Sequence, residues 1–269
     1  MSQVFLGTSA VIDRSFRDAN ARQQIHNLLP VGGECISSCY VLFELARGFL
    51  RNLILLHNRA VRLTKFSDLV AYAGHSRRHA HRLGTILGAF QDYFSEGLSR
   101  GAFAGMQLPM DEAMLLSFRG YLRGAIRRNW NKAVRSLDLV VNDVKCREDV
   151  EVPCVRDELY WQELRREDCG SARNCGLKSY VAHGKADFVR LREELRNAAS
   201  PDAETQRRVR ALRELYRVEK RDFKRDDCYS CGDAIIAHEA PGGAPIVTKN
   251  EKHFAAICKV FNKTGIYYK

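Results

Sequence analysis

Two carboxylates sit where their chemistry would be exposed by their surroundings. Glu44 lies in Val41-Leu42-Phe43-Glu44-Leu45-Ala46-Arg47-Gly48, and Asp233 opens Asp233-Ala234-Ile235-Ile236-Ala237. Each is an acid on an otherwise apolar stretch of helical character, and burying a lone carboxylate is costly. Two small hydroxyl-bearing segments accompany them: Gly7-Thr8-Ser9 follows the apolar run Val4-Phe5-Leu6, and Thr248-Lys249-Asn250 follows Ile246-Val247. An α/β protein that brings carboxylates to the carboxyl edge of a parallel sheet can hold Mg²⁺ or Mn²⁺ there. Such an ion aligns water and stabilises charge in phosphodiester hydrolysis. Simpler readings stand beside this one. Asp233 fits a first-turn acid favoured by the helix dipole, and Glu44 fits a helix acid paired with Arg47 or Arg51.

Taken in order, these segments resemble the PIN-domain family of metal-dependent nucleases. That family opens with a strand running into Asp-Thr-Ser. It then carries a Val-x-x-Glu-Leu-x-x-Gly helix and an Asp-Ala-x-Ile-Ala helix, and closes with a Val-Thr-x-Asn strand end. Glu44, Asp233, Thr248 and Asn250 match, over roughly residues 1–50 and 226–269. The resemblance implies an α/β fold with a PIN-like parallel sheet flanked by helices, interrupted by a mainly helical insertion at 51–225. It implies an endonuclease acting most readily on RNA, with Glu44 and Asp233 as Mg²⁺ or Mn²⁺ ligands. Thr8, Ser9 and Thr248 would orient water or ligands, and Asn250 would support the metal or the phosphate. Because the family includes toxins of toxin–antitoxin pairs, an antitoxin or regulatory protein joins nucleic acid as an expected partner. A second copy of the chain is a further candidate.

The chain departs from the family at two positions. The first metal-binding Asp falls on Gly7, and the final Asp falls on His253. Glycine offers no side-chain ligand. One reading is natural drift to a catalytically dead nucleic-acid- or protein-binding module; another is a single Asp-to-Gly change that silences a nuclease. His253 would bind phosphate or replace the lost acid, unless it is an exposed helix residue. Asp226 and Asp227 are candidate outer carboxylates, whereas Asp13, deeper in its helix, is a poor replacement.

The cysteines suggest a second chemistry. Cys228-x-x-Cys231 has zinc-binding spacing, and Cys169 with Cys175 would complete a four-sulfur site. Cys146 and Cys154 are alternative ligands, and Cys35, Cys39 and Cys258 read as core. A structural Zn²⁺ site would make the chain a zinc-stabilised interaction protein and the PIN resemblance fortuitous.

The elements that must position these residues are legible at both ends. Strand–helix signals occupy 1–50 and 226–269, with Thr8 or Ser9 as the first helix cap and Ser37 or Ser38 capping a helix that runs to about Arg51. Helical periodicity fills most of 51–225, including 77–99 and a long pattern over 110–141. A charged, Cys-rich, irregular stretch covers 146–180. Charged helices are predicted over 183–199 and 202–223, with Ser200 as cap and Pro201 as first residue of the second.

The chain has 269 residues and a net charge of +11. Residues 51–145 hold fifteen basic against seven acidic side chains, a net of +8. This is an electrostatic footprint for phosphates, with Arg77, Arg78, Arg82, Arg123, Arg127, Arg128 and Lys132 as candidate nucleic-acid contacts. Tyr72, Phe90, Tyr93, Phe94, Tyr121 and Trp130 are available to stack bases or to build a core. No apolar run approaches the ~20 residues of a membrane span. The opening residues lack a signal peptide's basic region, so a cytoplasmic location is expected.

Overall fold

Strands Gln3–Leu6 (β1), Glu34–Ser38 (β2), Leu139–Val141 (β3), Ile246–Thr248 (β4) and Gly265–Tyr267 (β5) form one sheet in a computed structural model. The order is β3-β2-β1-β4-β5, and every pair is parallel. The structure describes residues 2–75, 80–97, 107–145, 176–198, 202–216 and 225–269. The fold is α/β, with helices flanking the sheet as the sequence implies. Among the described residues no helix is long and apolar enough to cross a membrane.

Parallel neighbours require crossovers, and helices provide them. Thr8–Phe16 (α1) and Ala19–Leu28 (α2) join β1 to β2. Beyond β2 come Cys39–Gly48 (α3), Arg51–Val61 (α4), Phe66–His75 (α5), Ala80–Asp92 (α6) and Met110–Arg135 (α7). Leu177–His183 (α8), Lys185–Arg196 (α9), Ala203–Tyr216 (α10), Arg225–Ser230 (α11) and Gly232–Glu239 (α12) precede β4. Glu251–Phe261 (α13) joins β4 to β5. The chain thus builds outward from β1 to β3 on one side, then returns to β1 and builds β4 and β5 on the other. The reversal falls between β1 and β4. The carboxyl ends of strands flanking such a switch point are where open α/β sheets bind ligands.

Val4, Phe5, Leu6, Ile36, Ile246 and Val247 are buried, as the continuous apolar runs of a covered parallel sheet require. Register pairs Phe5 with Ile246 and Leu6 with Val247. Strand β3 is a difference from the sequence reading, which absorbed 139–141 into a helix. Leu139 pairs with Ile36 and Val141 with Ser38. Three apolar residues appended to a helix keep the helical pattern, so only pairing with β2 distinguishes them. Asp138 secures the junction: its Oδ2 accepts the Cys35 N–H at 2.8 Å, and its own N–H donates to Cys35 O at 2.8 Å.

Two compact units divide the described residues differently from the expected insertion at 51–225. One contains the sheet, β3 and α8–α13; the other spans 46–131. The second unit has an aromatic core. Phe118 stacks on Phe90 at 5.0 Å and meets Phe66 edge-on at 5.5 Å, and Tyr93 packs on Phe118 at 5.0 Å. Phe90, Tyr93 and Trp130 are therefore core residues and not base-stacking platforms. Tyr72 lies under Arg59, Tyr121 packs on Phe118, and Phe94 alone of the six is exposed. Arg119 donates to the carbonyls of Ala60 and Leu63 at the end of α4, satisfying acceptors a helix terminus leaves open.

Glu239, 3% exposed, closes α12 inside the sheet-containing unit and accepts the Val144 N–H at 3.2 Å. Burial raises its carboxyl to about 7, against partial compensation from the Ser38 hydroxyl and backbone N–H groups. A carboxyl raised on folding stabilises the native state fully below about 4.5, and that contribution is lost as pH rises through 7. The chain should therefore lose at most about 3 kcal/mol from this residue between pH 4.5 and 8. Urea unfolding across that range should show the loss in the unaltered chain and its absence in Glu239→Gln.

Candidate functional site

Gly7 ends β1 and caps α1 at φ −73°, a conformation open to any residue. Its N–H donates to Val247 O at 3.0 Å, tying it to β4. Thr8 and Ser9 are not caps, as their sequence position implied, but lie inside the helix and reach sideways. Thr8 Oγ1 donates to Glu44 Oε2 at 2.7 Å. Ser9 Oγ lies 3.2 Å from Thr248 Oγ1 and accepts the Lys249 N–H at 3.0 Å, while Thr248 Oγ1 accepts the Asn250 N–H at 3.2 Å. The ends of β1 and β4 are thus laced together by hydroxyls. A Cβ at position 7 would sit 3.4 Å from Val247 O and 3.5 Å from Thr248 Cβ, ordinary contact distances.

Helix α3 ends at Gly48 rather than near Arg51, with the Ser38 hydroxyl accepting Val41 N–H at 3.2 Å as its cap. Glu44 on this helix points toward α12. A Cβ on Gly232 would lie 2.5 Å from Glu44 Oε1, so α12 comes this close only because residue 232 lacks one. The next residue is Asp233. Contacts thus run from Thr8 to Glu44, from Glu44 to Gly232, from Ser9 to Thr248 and from Asn250 to Asp233.

The surroundings of Asp233 were not legible as a site. Arg208 Nη2 donates to Asp233 Oδ2 at 2.6 Å, and Arg208 Nε donates to Ser230 O at 3.2 Å. Asn250 Nδ2 donates to the same carboxylate oxygen at 3.3 Å. His253 is buried, not exposed; its Nδ1 lies 3.3 Å from Asp233 Oδ2 and 3.1 Å from Glu204 Oε1. The hydrogen bond to Asp233 raises the imidazole above its ordinary value. Asp202, rather than Ser200, caps α10, accepting the Thr205 N–H at 2.7 Å. It also holds Lys252 Nζ at 2.6 Å, which keeps its carboxyl well below the usual range.

Arg208 and Glu204 were read as members of a solvated charged helix. A signal existed: Arg208 shares one α10 face with Ala211 and Leu212, three and four residues on, and all three are buried. Glu204 is the preceding turn on that face.

Glu204, Asp233 and His253 place two carboxylate oxygens and an imidazole nitrogen within 4.8 Å of one another, a group able to hold a metal ion. As arranged, these residues do not fit Mg²⁺ or Mn²⁺. Arg208 Nη2 already lies 2.6 Å from Asp233, 3.3 Å from His253 Nδ1 and 3.7 Å from Glu204. A divalent ion needs bonds of about 2.0–2.6 Å in that same space. The expected first ligand is Gly7, which has none to give, and Glu44 receives the Thr8 hydroxyl. Asp226 and Asp227, in the first turn of α11, are not part of the group. Asp13 is buried and serves elsewhere, holding Lys249 Nζ at 2.9 Å and the Tyr268 hydroxyl at 3.0 Å.

Cys228 and Cys231 are buried, and burial pushes the Cys231 thiol up. Cys169, Cys175, Cys146 and Cys154 lie outside the described residues, as do Arg77, Arg78 and the Arg82 side chain. Arg127, Arg128 and Lys132 are exposed on α7, and Arg123 is half-buried there.

Comparison with protein-family models, with curated proteins and with solved structures finds no match to this chain. In Gly232→Ala, the added methyl meets Glu44 Oε1 at 2.5 Å and contacts the Tyr40 ring and hydroxyl at 3.4 Å, so the Glu44 carboxylate must shift, while the residue gains helix propensity of up to about 1 kcal/mol. Thermal unfolding should change little, while a crystal structure of the variant should show Glu44 displaced and its Thr8 hydrogen bond broken.

Proposed function

We propose that this chain is a PIN-like protein built on the plan of a Mg²⁺- or Mn²⁺-dependent endonuclease. In its present sequence it binds nucleic acid, RNA by preference, without cutting it. The observation that supports this reading is that the segments bearing residue 7, Glu44 and Asp233 meet beside the β1–β4 switch point. Those are the acidic positions of the family pattern, and they come from distant parts of the chain. Gly7 removes one ligand at a place with room for a side chain. The resident Arg208 neutralises Asp233, so no hydrolytic step is assigned to the chain as it stands. The exposed Arg127, Arg128 and Lys132 supply a basic strip suited to phosphates.

Labelled single-stranded RNA, duplex RNA and DNA test the reading in millimolar Mn²⁺. The unaltered chain should bind RNA and leave it intact. Gly7→Asp should cut it, and adding Asp233→Asn should abolish cutting. Binding without cutting by Gly7→Asp, even with Arg208→Gln added, would establish a dead binding module instead. Absence of binding by the unaltered chain would remove the nucleic-acid reading.

The basic strip makes a separate prediction. Arg127→Ala and Arg128→Ala should weaken RNA binding across sequences. Each phosphate deprived of its arginine should reduce the slope of log K against log salt by about 0.7 for single strands. Fluorescence anisotropy at several salt concentrations measures both.

A further inference from the structure

Burying a guanidinium is expensive unless its charge and donors are matched. The Arg208 side chain is 3% exposed, yet its Nη2 atom is directed at three separate groups able to ligate a metal. Asp233 and His253 are themselves largely covered, at 19% and 9% exposed, whereas Glu204 is half-exposed. The nitrogen is nearest Asp233 and lies within 3.7 Å of both other ligand atoms. No purely structural role requires the cation to sit among all three. The Ser230 carbonyl and Asp233 would already anchor the side chain.

We infer that Arg208 is a built-in counter-cation that competes with divalent metal for Glu204, Asp233 and His253, so that metal enters only when the guanidinium leaves. The competition is steric and electrostatic together. The ion and Nη2 need the same volume, and two positive charges cannot share one carboxylate pair at these distances. Metal affinity is consequently reduced by the fraction of molecules in which Arg208 has withdrawn. This self-occupancy goes beyond the nuclease reading and holds whatever the protein binds, because it concerns only which cation the three ligands carry.

Mn²⁺ binding to the full chain tests it, followed by loss of the free-ion electron paramagnetic resonance signal and by thermal shift. Arg208→Gln removes the charge and withdraws the side chain from the three ligands. It should bind Mn²⁺ about tenfold more tightly, or better, than the unaltered chain. Its melting temperature should rise with Mn²⁺ more than that of the unaltered chain. Adding Glu204→Gln should reverse the gain. If the uncompensated Asp233 prevents Arg208→Gln from folding, Arg208→Lys decides. It keeps a buried positive charge on a shorter, single-headed group that cannot reach all three ligands, and it should bind Mn²⁺ severalfold more tightly. Folded Arg208 variants that bind Mn²⁺ no better than the unaltered chain would overturn the inference, as would a gain that survives Glu204→Gln. Because occupancy is read without cleavage, tighter Mn²⁺ binding by Arg208→Gln with no RNA cutting by the double variant Gly7→Asp/Arg208→Gln sinks the nuclease reading alone. Cutting without any Arg208 effect on occupancy sinks this one alone.

Discussion

The parallel pairing of β1 with β4 is the constraint from which the site follows. It joins residues about 240 positions apart through backbone groups that must find partners once buried. Phe5 N–H donates to Pro245 O, and Gly7 N–H donates to Val247 O. These bonds fix the height at which both strands end, and hence where the segments after them emerge. The Ser9 and Thr248 hydroxyls then meet, and α1 begins beside the loop that leads to Asn250. Glu44 then meets Gly232 at the start of α12, and Asp233 meets Asn250 just beyond β4.

Charge balance is the second organising force. The sheet-containing unit draws several acids into partly or fully covered positions and answers each in a different way. Asp13 receives Lys249 and a tyrosine hydroxyl. Asp233 receives a buried arginine, an asparagine and a histidine. Glu239 makes no ion pair among the described residues, and burial raises it toward neutrality. A carboxylate with a close guanidinium stays ionised and is held in place, whereas one without is better accommodated protonated.

The unit at 46–131 is held by different means. Phe66, Phe90, Tyr93 and Phe118 supply large apolar areas in tilted and stacked contacts. Its helices do not depend on a sheet for partners. This separation lets basic side chains accumulate on the surface of α7 without burying charge.

Much of the fold was legible in the residues alone. Val4-Phe5-Leu6 and Ile246-Val247 read as covered strands because every side chain in them is apolar. Glu44 and Asp233 stood out because acids are rare on such helical faces. Those are local properties: composition over a few residues and periodicity along one helix. Strand β3 was hidden, because three apolar residues after a helix have no local signature apart from their partner. The lateral roles of Thr8 and Ser9 depended on where α3 and β4 lie, and Gly232 mattered only because Glu44 comes to it from 188 residues earlier. Arg208 was hardest to see. An arginine in an arginine-rich helix looks solvated until the fold turns that one face inward. Residue types and their local order dictate which segments must be buried and which acids will need an answer. Which cation answers Asp233 is settled only once α10, α12 and α13 meet, because the energy of a charge pair depends on separation and burial in space.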